Sequence, residues 1–136
     1  MSTDIRAAVP GDVPAVLELW RTSAAPTSTD SPDDLRHLLR HDPGALLVAE
    51  VAGEIVGSVI AGWDGWRGSI YRLAVDPAHR RSGLGGQLLR RAEHRLAELG
   101  VRRMHAIVVG DDARAVAFWE STDWELQRGQ LRFTNG

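Results

Sequence analysis

Apolar positions in the first third of the chain predict a strand followed by two helices. Asp4 to Ala8 has the alternation of a short strand. A helix then begins near Asp12, with Pro14 in its first turn and apolar residues spaced by three and four. A second helix opens at Ser31–Pro32 and places three leucines on one side. The segment between the helices is rich in Ser, Thr, Pro and Asp and predicts a loop.

The middle of the chain predicts a run of strands and the longest helix. The stretch ALLVAEVAGEIVGSVIAGW predicts two strands joined in a hairpin at Ala52–Gly53. SIYRLAV predicts a fourth strand, which Asp76–Pro77 ends. From Gly83 or Leu84 to Leu99, leucines and alanines recur every three or four residues, and Gly100 closes this helix. RRMHAIVVG predicts the fifth strand.

The end of the chain completes a predicted mixed α/β fold. Asp112 to Ser121 predicts a last helix, and WELQRGQLRF a closing hairpin with its turn near Arg128–Gly129. The unit from Ile70 to Val109 implies a parallel strand pair, because a helical crossover returns the chain in the same direction. Short connections make the other pairs antiparallel. We therefore expect a mixed, mostly antiparallel sheet of about seven strands with four helices on its two faces.

Composition narrows the class of protein. A chain of 136 residues, 43% of them hydrophobic, suits a single packed domain over 1–136. No apolar run reaches the ~18 residues of a membrane span, and the N-terminus does not resemble a signal peptide. We therefore expect a cytoplasmic protein with no membrane partner. The net charge of −2 gives no reason to expect a nucleic acid. The absence of cysteine and of metal-ligand spacing among the histidines predicts no metal site.

The stretch HRRSGLGGQLL combines arginines and glycines at the start of the longest predicted helix. The first turn of a helix has backbone N–H groups without partners and a partial positive charge. Glycines let an anion approach the backbone closely, and Arg80 and Arg81 add full charges. The stretch predicts a phosphate-binding turn, although a glycine-rich loop with solvated arginines has the same composition. It is not a P-loop, because no Gly-Lys-Ser/Thr follows.

The longer stretch LAVDPAHRRSGLGGQLL resembles the coenzyme A-binding motif of the GNAT family of N-acetyltransferases. That motif is Arg/Gln-x-x-Gly-x-Gly/Ala, and the order of predicted elements matches the family over nearly the whole chain. The resemblance implies acetyl-CoA as co-substrate, with its pyrophosphate held by the backbone of Arg81, Ser82, Gly83, Leu84, Gly85 and Gly86 after Arg80. It also implies that the pantetheine arm and the acetyl carbonyl lie along the preceding strand, at Leu73, Ala74 and Val75.

The second motif of the family, Asn-x-x-Ala-x-x-x-Tyr followed by Gly-Phe, is only partly present in DARAVAFWESTDW. Asp112 stands at the Asn position and Trp119 at the Tyr position, so the resemblance implies contacts of both with acetyl-CoA. The family tyrosine is often assigned as the acid that protonates the departing thiolate. An indole N–H donates a hydrogen bond but cannot replace that acid. Trp119 is therefore either a wall beside the thioester or a core aromatic.

The general base is also missing from its usual place. Many family members carry a glutamate on the fourth strand where this chain has Ser69, which could hold a water that relays a proton. Tyr71 shares a strand face with Ser69, barring a bulge, and either orients the reactants or is an ordinary strand aromatic. Asp64 either accepts a proton from the ammonium through water or is a solvated turn residue. His105 is interpreted as an ordinary strand histidine.

Two functions of different class follow from these residues. The first is an N-acetyltransferase in which a primary amine of a small molecule or peptide attacks acetyl-CoA directly in a ternary complex. The alternative is an acyl-CoA-binding regulatory module with weak or no catalysis, which the residues at positions 69, 112 and 119 keep open. The sequence does not identify the amine. The edges of the closing strands could also pair two copies into a homodimer.

Overall fold

The computed structural model describes residues 2–136, which contain one mixed sheet and four α-helices. The strands are β1 (Thr3–Ala7), β2 (Leu46–Val51), β3 (Glu54–Trp63), β4 (Gly68–Val75) and β5 (Met104–Ala106). The helices are α1 (Val13–Ser23), α2 (Pro32–His41), α3 (Leu84–Glu98) and α4 (Ala113–Glu120), with single 3₁₀ turns at Pro10–Asp12 and Pro77–His79. The chain divides into two compact units after Ala106, and only α4 lies in the second.

The sheet has the strand order β1-β2-β3-β4-β5. The first three pairs are antiparallel, and β4 and β5 are parallel. The crossover between β4 and β5 runs through α3, as a parallel pair requires. The predicted mixed, mostly antiparallel sheet with one parallel pair is therefore confirmed.

Local chemistry explains where these elements begin and turn. The Ser31 hydroxyl accepts a hydrogen bond from the backbone N–H of Asp34 at 3.1 Å and caps α2, whose first residue is a proline. Ala52 and Gly53 have φ angles of 52° and 81°, the left-handed pair that a tight two-residue hairpin needs. Gly100 has a φ of 89° directly after α3. These three positions were all predicted from the sequence.

Helices of the first unit cover both faces of the sheet, and adjacent residues of β3 show this. Ser58 accepts a hydrogen bond from the indole of Trp20 in α1. A Cβ at Gly57 would lie 2.9 Å from a methyl carbon of Leu88 in α3. Since successive strand residues point to opposite faces, α1 and α3 lie on opposite sides of β3. Leu35 of α2 joins the buried cluster on the α1 side.

The prediction of about seven strands was wrong in number, because residues 2–136 form five. The fifth strand ends at Ala106 rather than near Val109, since its pairing with β4 ends there. The C-terminal segment turns at 128–129 as predicted, but none of its residues forms a strand. Its Leu126, Leu131 and Phe133 are 73%, 84% and 89% exposed. Alternation predicts a strand only where another edge pairs with it, and an isolated hairpin is marginal in water.

Two expectations about organisation stay predictions: a single domain over 1–136, and a homodimer formed through the closing strands. Within residues 2–136, no helix is long and apolar enough to cross a membrane. The same residues contain no group of three or more His, Asp or Glu side chains that could hold a metal ion.

Candidate functional site

The turn between β4 and α3 is built by short polar side chains. A carboxylate oxygen of Asp76 accepts the backbone N–H of Ala78 at 3.0 Å, and the Asp76 carbonyl accepts that of His79 at 2.8 Å. Pro77 fills the first position of the 3₁₀ turn. The Ser82 hydroxyl then donates to the His79 carbonyl at 2.6 Å. These bonds bring the chain directly from the end of β4 to the start of α3.

The backbone N–H groups from Arg81 to Gly86 donate no hydrogen bond of normal geometry to an acceptor in the described chain. Arg81 and Gly83 have left-handed φ angles of 66° and 80°, and the first bond of α3 runs from Gln87 N–H to the Gly83 carbonyl at 3.1 Å. Successive N–H groups left free at the N-terminus of a helix form a cradle for an anion. The turn therefore fits the phosphates that the sequence motif implies.

Two cations stand beside this cradle. Arg80 is half-buried and Arg81 is exposed. Neither guanidinium forms an ion pair with a carboxylate among residues 2–136. No heavy atom lies within 4 Å of the place where a Cβ on Gly83 would stand, counting neither the glycine itself nor its two chain neighbours. The turn thus combines free donors, positive charge and open space.

The strand that leads into this turn loses one of its partners along its length. β5 pairs with β4 only from Gly68↔Met104 to Ile70↔Ala106. β4 continues through Tyr71–Val75, where the described chain pairs with it only on the β3 side. The residues Leu73, Ala74 and Val75 lie in this part of the strand. An extended ligand rich in amides could pair with such an edge as an added strand does.

A β-bulge interrupts β4 just before those residues. Ser58 pairs with Ala74 and Ile60 pairs with Tyr71, so β4 has one more residue than β3 between the two pairs. Arg72 takes up the extra length with a φ of 51°. This backbone conformation is rare for residues other than Gly, Asn or Asp, and it persists only where neighbouring groups hold it.

Two sets of contacts hold the bulge. The fully buried Ser58 hydroxyl donates to the Arg72 carbonyl at 2.8 Å and accepts the Trp20 indole N–H at 2.8 Å. The Arg72 guanidinium lies 5.2 Å from the centroid of the Trp20 ring. It donates to the Ala25 carbonyl at 2.7 Å and pairs with the Asp30 carboxylate. The bulge is therefore tied both to α1 and to the loop between α1 and α2.

Ser69 lies in the last part of β4 that still pairs with β5. It stands opposite His105 in the parallel register, and its Oγ lies 3.0 Å from Nε2 of the imidazole. Sequence reasoning missed this contact. The bulge begins after Tyr71, so Ser69 and Tyr71 share a strand face as expected. The Tyr71 side chain is half exposed, at 49%.

Asp64 lies in the turn between β3 and β4. Its Oδ1 accepts the backbone N–H groups of Arg67 at 2.7 Å and Trp66 at 2.8 Å. These two bonds, that from Arg67 first, lower the pKa of the Asp64 carboxyl. A lowered pKa makes the carboxylate a weaker base, and the arrangement is that of a turn-capping aspartate. The catalytic role of Asp64 stays a prediction.

The two remaining candidates lie in the second unit. A carboxylate oxygen of Asp112 accepts the backbone N–H of Ala115 at 3.1 Å and caps α4. The Trp119 ring makes edge-to-face contacts with Phe118 and Trp124, with centroid distances of 5.6 Å and 4.9 Å. Both side chains thus have a structural role within this unit. Their contact with acetyl-CoA stays a prediction.

Comparison with known proteins agrees with this fold. The model of the acetyltransferase (GNAT) family matches residues 13–124, and the chain belongs to that family. An acetyltransferase of Sodalis glossinidius is 36% identical over 121 residues, which cover 88% of this chain and 85% of the relative. An acetyltransferase of Pectobacterium atrosepticum is 39% identical over 115 residues, 84% of this chain and 82% of that one.

Solved structures show the same fold at lower identity. The PaiA N-acetyltransferase of Thermoplasma acidophilum, solved in complex with coenzyme A, aligns with a TM-score of 0.77. The two chains are 17% identical, and the alignment covers 89% of this chain and 88% of that one. The likeness to that structure supports the fold, and the family membership supports an acyltransferase.

Proposed function

We propose that this protein is an acetyl-CoA-dependent N-acetyltransferase whose acceptor is a primary amine of a small molecule or peptide. The observation that carries the proposal is the run of free backbone N–H groups at residues 81–86, directly after a strand with an unpaired edge. Such a turn can bind phosphates, and such a strand edge can bind an extended arm that contains amides. Coenzyme A contains both of them.

In this proposal the first unit holds acetyl-CoA through its backbone. The N–H groups from Arg81 to Gly86 bind the pyrophosphate, and Arg80 and Arg81 supply opposite charge. The free edge of β4 at Leu73–Val75 binds the pantetheine arm, which places the acetyl group towards Tyr71 and Ser69. A backbone N–H close to the acetyl oxygen would stabilise the negative charge that develops there during attack.

The reaction is a direct transfer between two bound substrates. The neutral amine attacks the acetyl carbonyl, the new C–N bond forms, and the C–S bond breaks. Coenzyme A leaves as a thiolate, and the extra proton on the amide nitrogen passes through water to that thiolate. Because a thiol is a much stronger acid than an alcohol, the thiolate is a tolerable leaving group near neutral pH. Turnover therefore does not require a protein acid at the position of Trp119.

Replacing Tyr71 with phenylalanine tests whether this tyrosine has taken over the part of the missing acid. We expect kcat to fall roughly tenfold or less, below the ~10²–10⁴ that an acid or base contributes. The reason is that Tyr71 shares its face with Ser69, where the family places its base rather than its acid. A thousandfold fall in kcat, with folding and acetyl-CoA affinity unchanged, would contradict this assignment.

A panel of amines tests the proposed function itself. Thiol release from acetyl-CoA is measured with polyamines, amino acids, aminoglycosides and peptides, and the acetylated product is identified by mass spectrometry. We expect release that depends on one class of amine. Tight acetyl-CoA binding without release by any amine would instead support the regulatory module. No acetyl-CoA binding at all would overturn both functions.

A further inference from the structure

We infer that Ser69 and His105 act together to take the proton from the acceptor ammonium, with His105 as the group that keeps it. The inference rests on the proposed function and assigns the base that the family position on β4 lacks. Sequence reasoning gave His105 no part in the chemistry, and the contact between the two side chains is what changes this.

The sheet brings the two residues together. β4 and β5 run parallel, and Ser69 and His105 are direct partners in their register. Partners in a strand pair have their side chains on one face, which places Oγ within 3.0 Å of Nε2. Ser69 is half-buried and His105 is exposed, so one end of the pair adjoins the sheet and the other can exchange protons with water.

The location of the pair fits the reacting end of the bound acetyl-CoA. The pairing of β4 with β5 ends at Ile70, one residue beyond Ser69. Tyr71, two residues beyond, is where the free edge of β4 begins. The phosphate turn lies at the opposite end of that edge, after Val75. An acetyl group at the far end of that edge from the phosphates therefore points towards the part of β4 that carries Ser69.

The proton balance requires both side chains. A serine hydroxyl alone is a poor base, whereas an imidazole changes charge between about pH 5 and 8. In the tautomer with hydrogen on Nδ1, the Ser69 hydroxyl donates to Nε2 and its oxygen can accept the ammonium proton. As that proton arrives, the serine proton moves to Nε2. The amine becomes neutral and the imidazole becomes a cation. Exchange with water then returns one proton to solvent and restores the tautomer with hydrogen on Nδ1.

Compared with the titratable groups around it, the imidazole of His105 is the best candidate for the base. Among the residues described, no carboxylate lies within ion-pair distance of His105. The titratable side chain on the same face of β4 is Tyr71. Arg102 and Arg103 directly precede β5. Asp64 and Arg67 lie in the β3–β4 turn, and the next residue, Gly68, donates its backbone N–H to the Arg103 carbonyl at 3.0 Å. Asp64 has a lowered pKa and already accepts two backbone N–H groups, which makes it the weaker candidate.

Three variants test the inference with the acceptor found in the amine panel: His105→Gln, Ser69→Ala and the double variant. Glutamine retains a partner for Ser69 but cannot take up a proton. We expect kcat/KM to fall about a hundredfold in each single variant, at the lower end for a general base. The double variant should fall no further than the worse single one, because the two groups act as a unit. His37→Gln, an exposed histidine on α2, is the matched control.

The pH profile separates a proton acceptor from a structural contact. The wild-type profile should lose activity on its acid side, and this limb should be absent in His105→Gln while acetyl-CoA affinity is unchanged in calorimetry. Ser69→Thr, which keeps the hydroxyl, should recover most of the activity. Wild-type activity and an intact acid limb in folded His105→Gln would overturn the inference and leave the proposed function standing. Failure of the wild-type protein to acetylate any amine would instead overturn the proposed function, and the inference with it.

Discussion

Replacing Gly83 with glutamate is expected to weaken acetyl-CoA binding by about a hundredfold or more, a change of about 2.7 kcal/mol. The glutamate would place a negative charge among the free N–H groups of residues 81–86, where the pyrophosphate is proposed to lie. It would repel the phosphates and compete for the same donors. Isothermal titration calorimetry of the folded variant measures the loss.

Two control variants separate charge from backbone strain. Gly83 has a φ of 80°, so any side chain there is strained, and Gly83→Ala reports that effect without the charge. Gly100 has a φ of 89° and equally open surroundings at the other end of α3. Gly100→Glu therefore adds the same strain and charge away from the turn. Undiminished affinity in Gly83→Glu, or an equal loss in Gly100→Glu, would contradict phosphate binding at this turn.

Replacing Ser58 with alanine is expected to lower the free energy of unfolding by about 2–4 kcal/mol, because the buried Trp20 indole N–H and the part-buried Arg72 carbonyl lose their partner. The Ser58 hydroxyl is fully buried and lies between the Trp20 indole N–H and the Arg72 carbonyl. Alanine satisfies neither of them. Urea denaturation followed by tryptophan fluorescence measures the change.

The matched control is Ser28→Ala in the exposed α1–α2 loop, where the serine makes no hydrogen bond within the described chain. The free energy of unfolding of this variant should stay within about 0.5 kcal/mol of the wild-type value. An unchanged midpoint in Ser58→Ala would mean that the hydroxyl does not hold the bulge. In that case the left-handed conformation of Arg72 would depend on its side-chain contacts alone.

Much of the first unit was predictable because its signals are local. The hairpin at Ala52–Gly53, the cap at Ser31 and the end of α3 at Gly100 each depend on a few neighbouring residues. Turn and cap chemistry is contained in such short segments. The closing strands were not predictable in this way, since a strand exists only where a partner edge is present. Apolar alternation around Leu126 and Leu131 does not show whether that edge exists.

The bulge in β4 also lay beyond sequence reasoning. Its left-handed residue is an arginine, so no glycine marks the position. The groups that hold it, Ser58 and Asp30, lie 14 and 42 residues away in the chain. Only the folded sheet shows that these three residues meet.

In the candidate site, too, the features that depend on neighbouring residues could be predicted and those that depend on distant residues could not. The phosphate turn could be predicted because its glycines, arginines and helix start are contiguous. The contact between Ser69 and His105 could not, because it spans 36 residues and depends on the register of two strands. An alternation pattern gives the face of a strand residue but does not give its partner on the next strand.

The ion pair between Arg72 and Asp30 links the α1–α2 loop to the bulge of β4, so a substitution in one of them constrains the sequence of the other. The two side chains are 14% and 18% exposed, so loss of either charge leaves the other poorly solvated. Positions 30 and 72 are therefore expected to covary among relatives of this chain. Engineering by loop exchange faces the same constraint, because a foreign segment at residues 24–31 needs an acidic residue at position 30 to stay compatible with this strand.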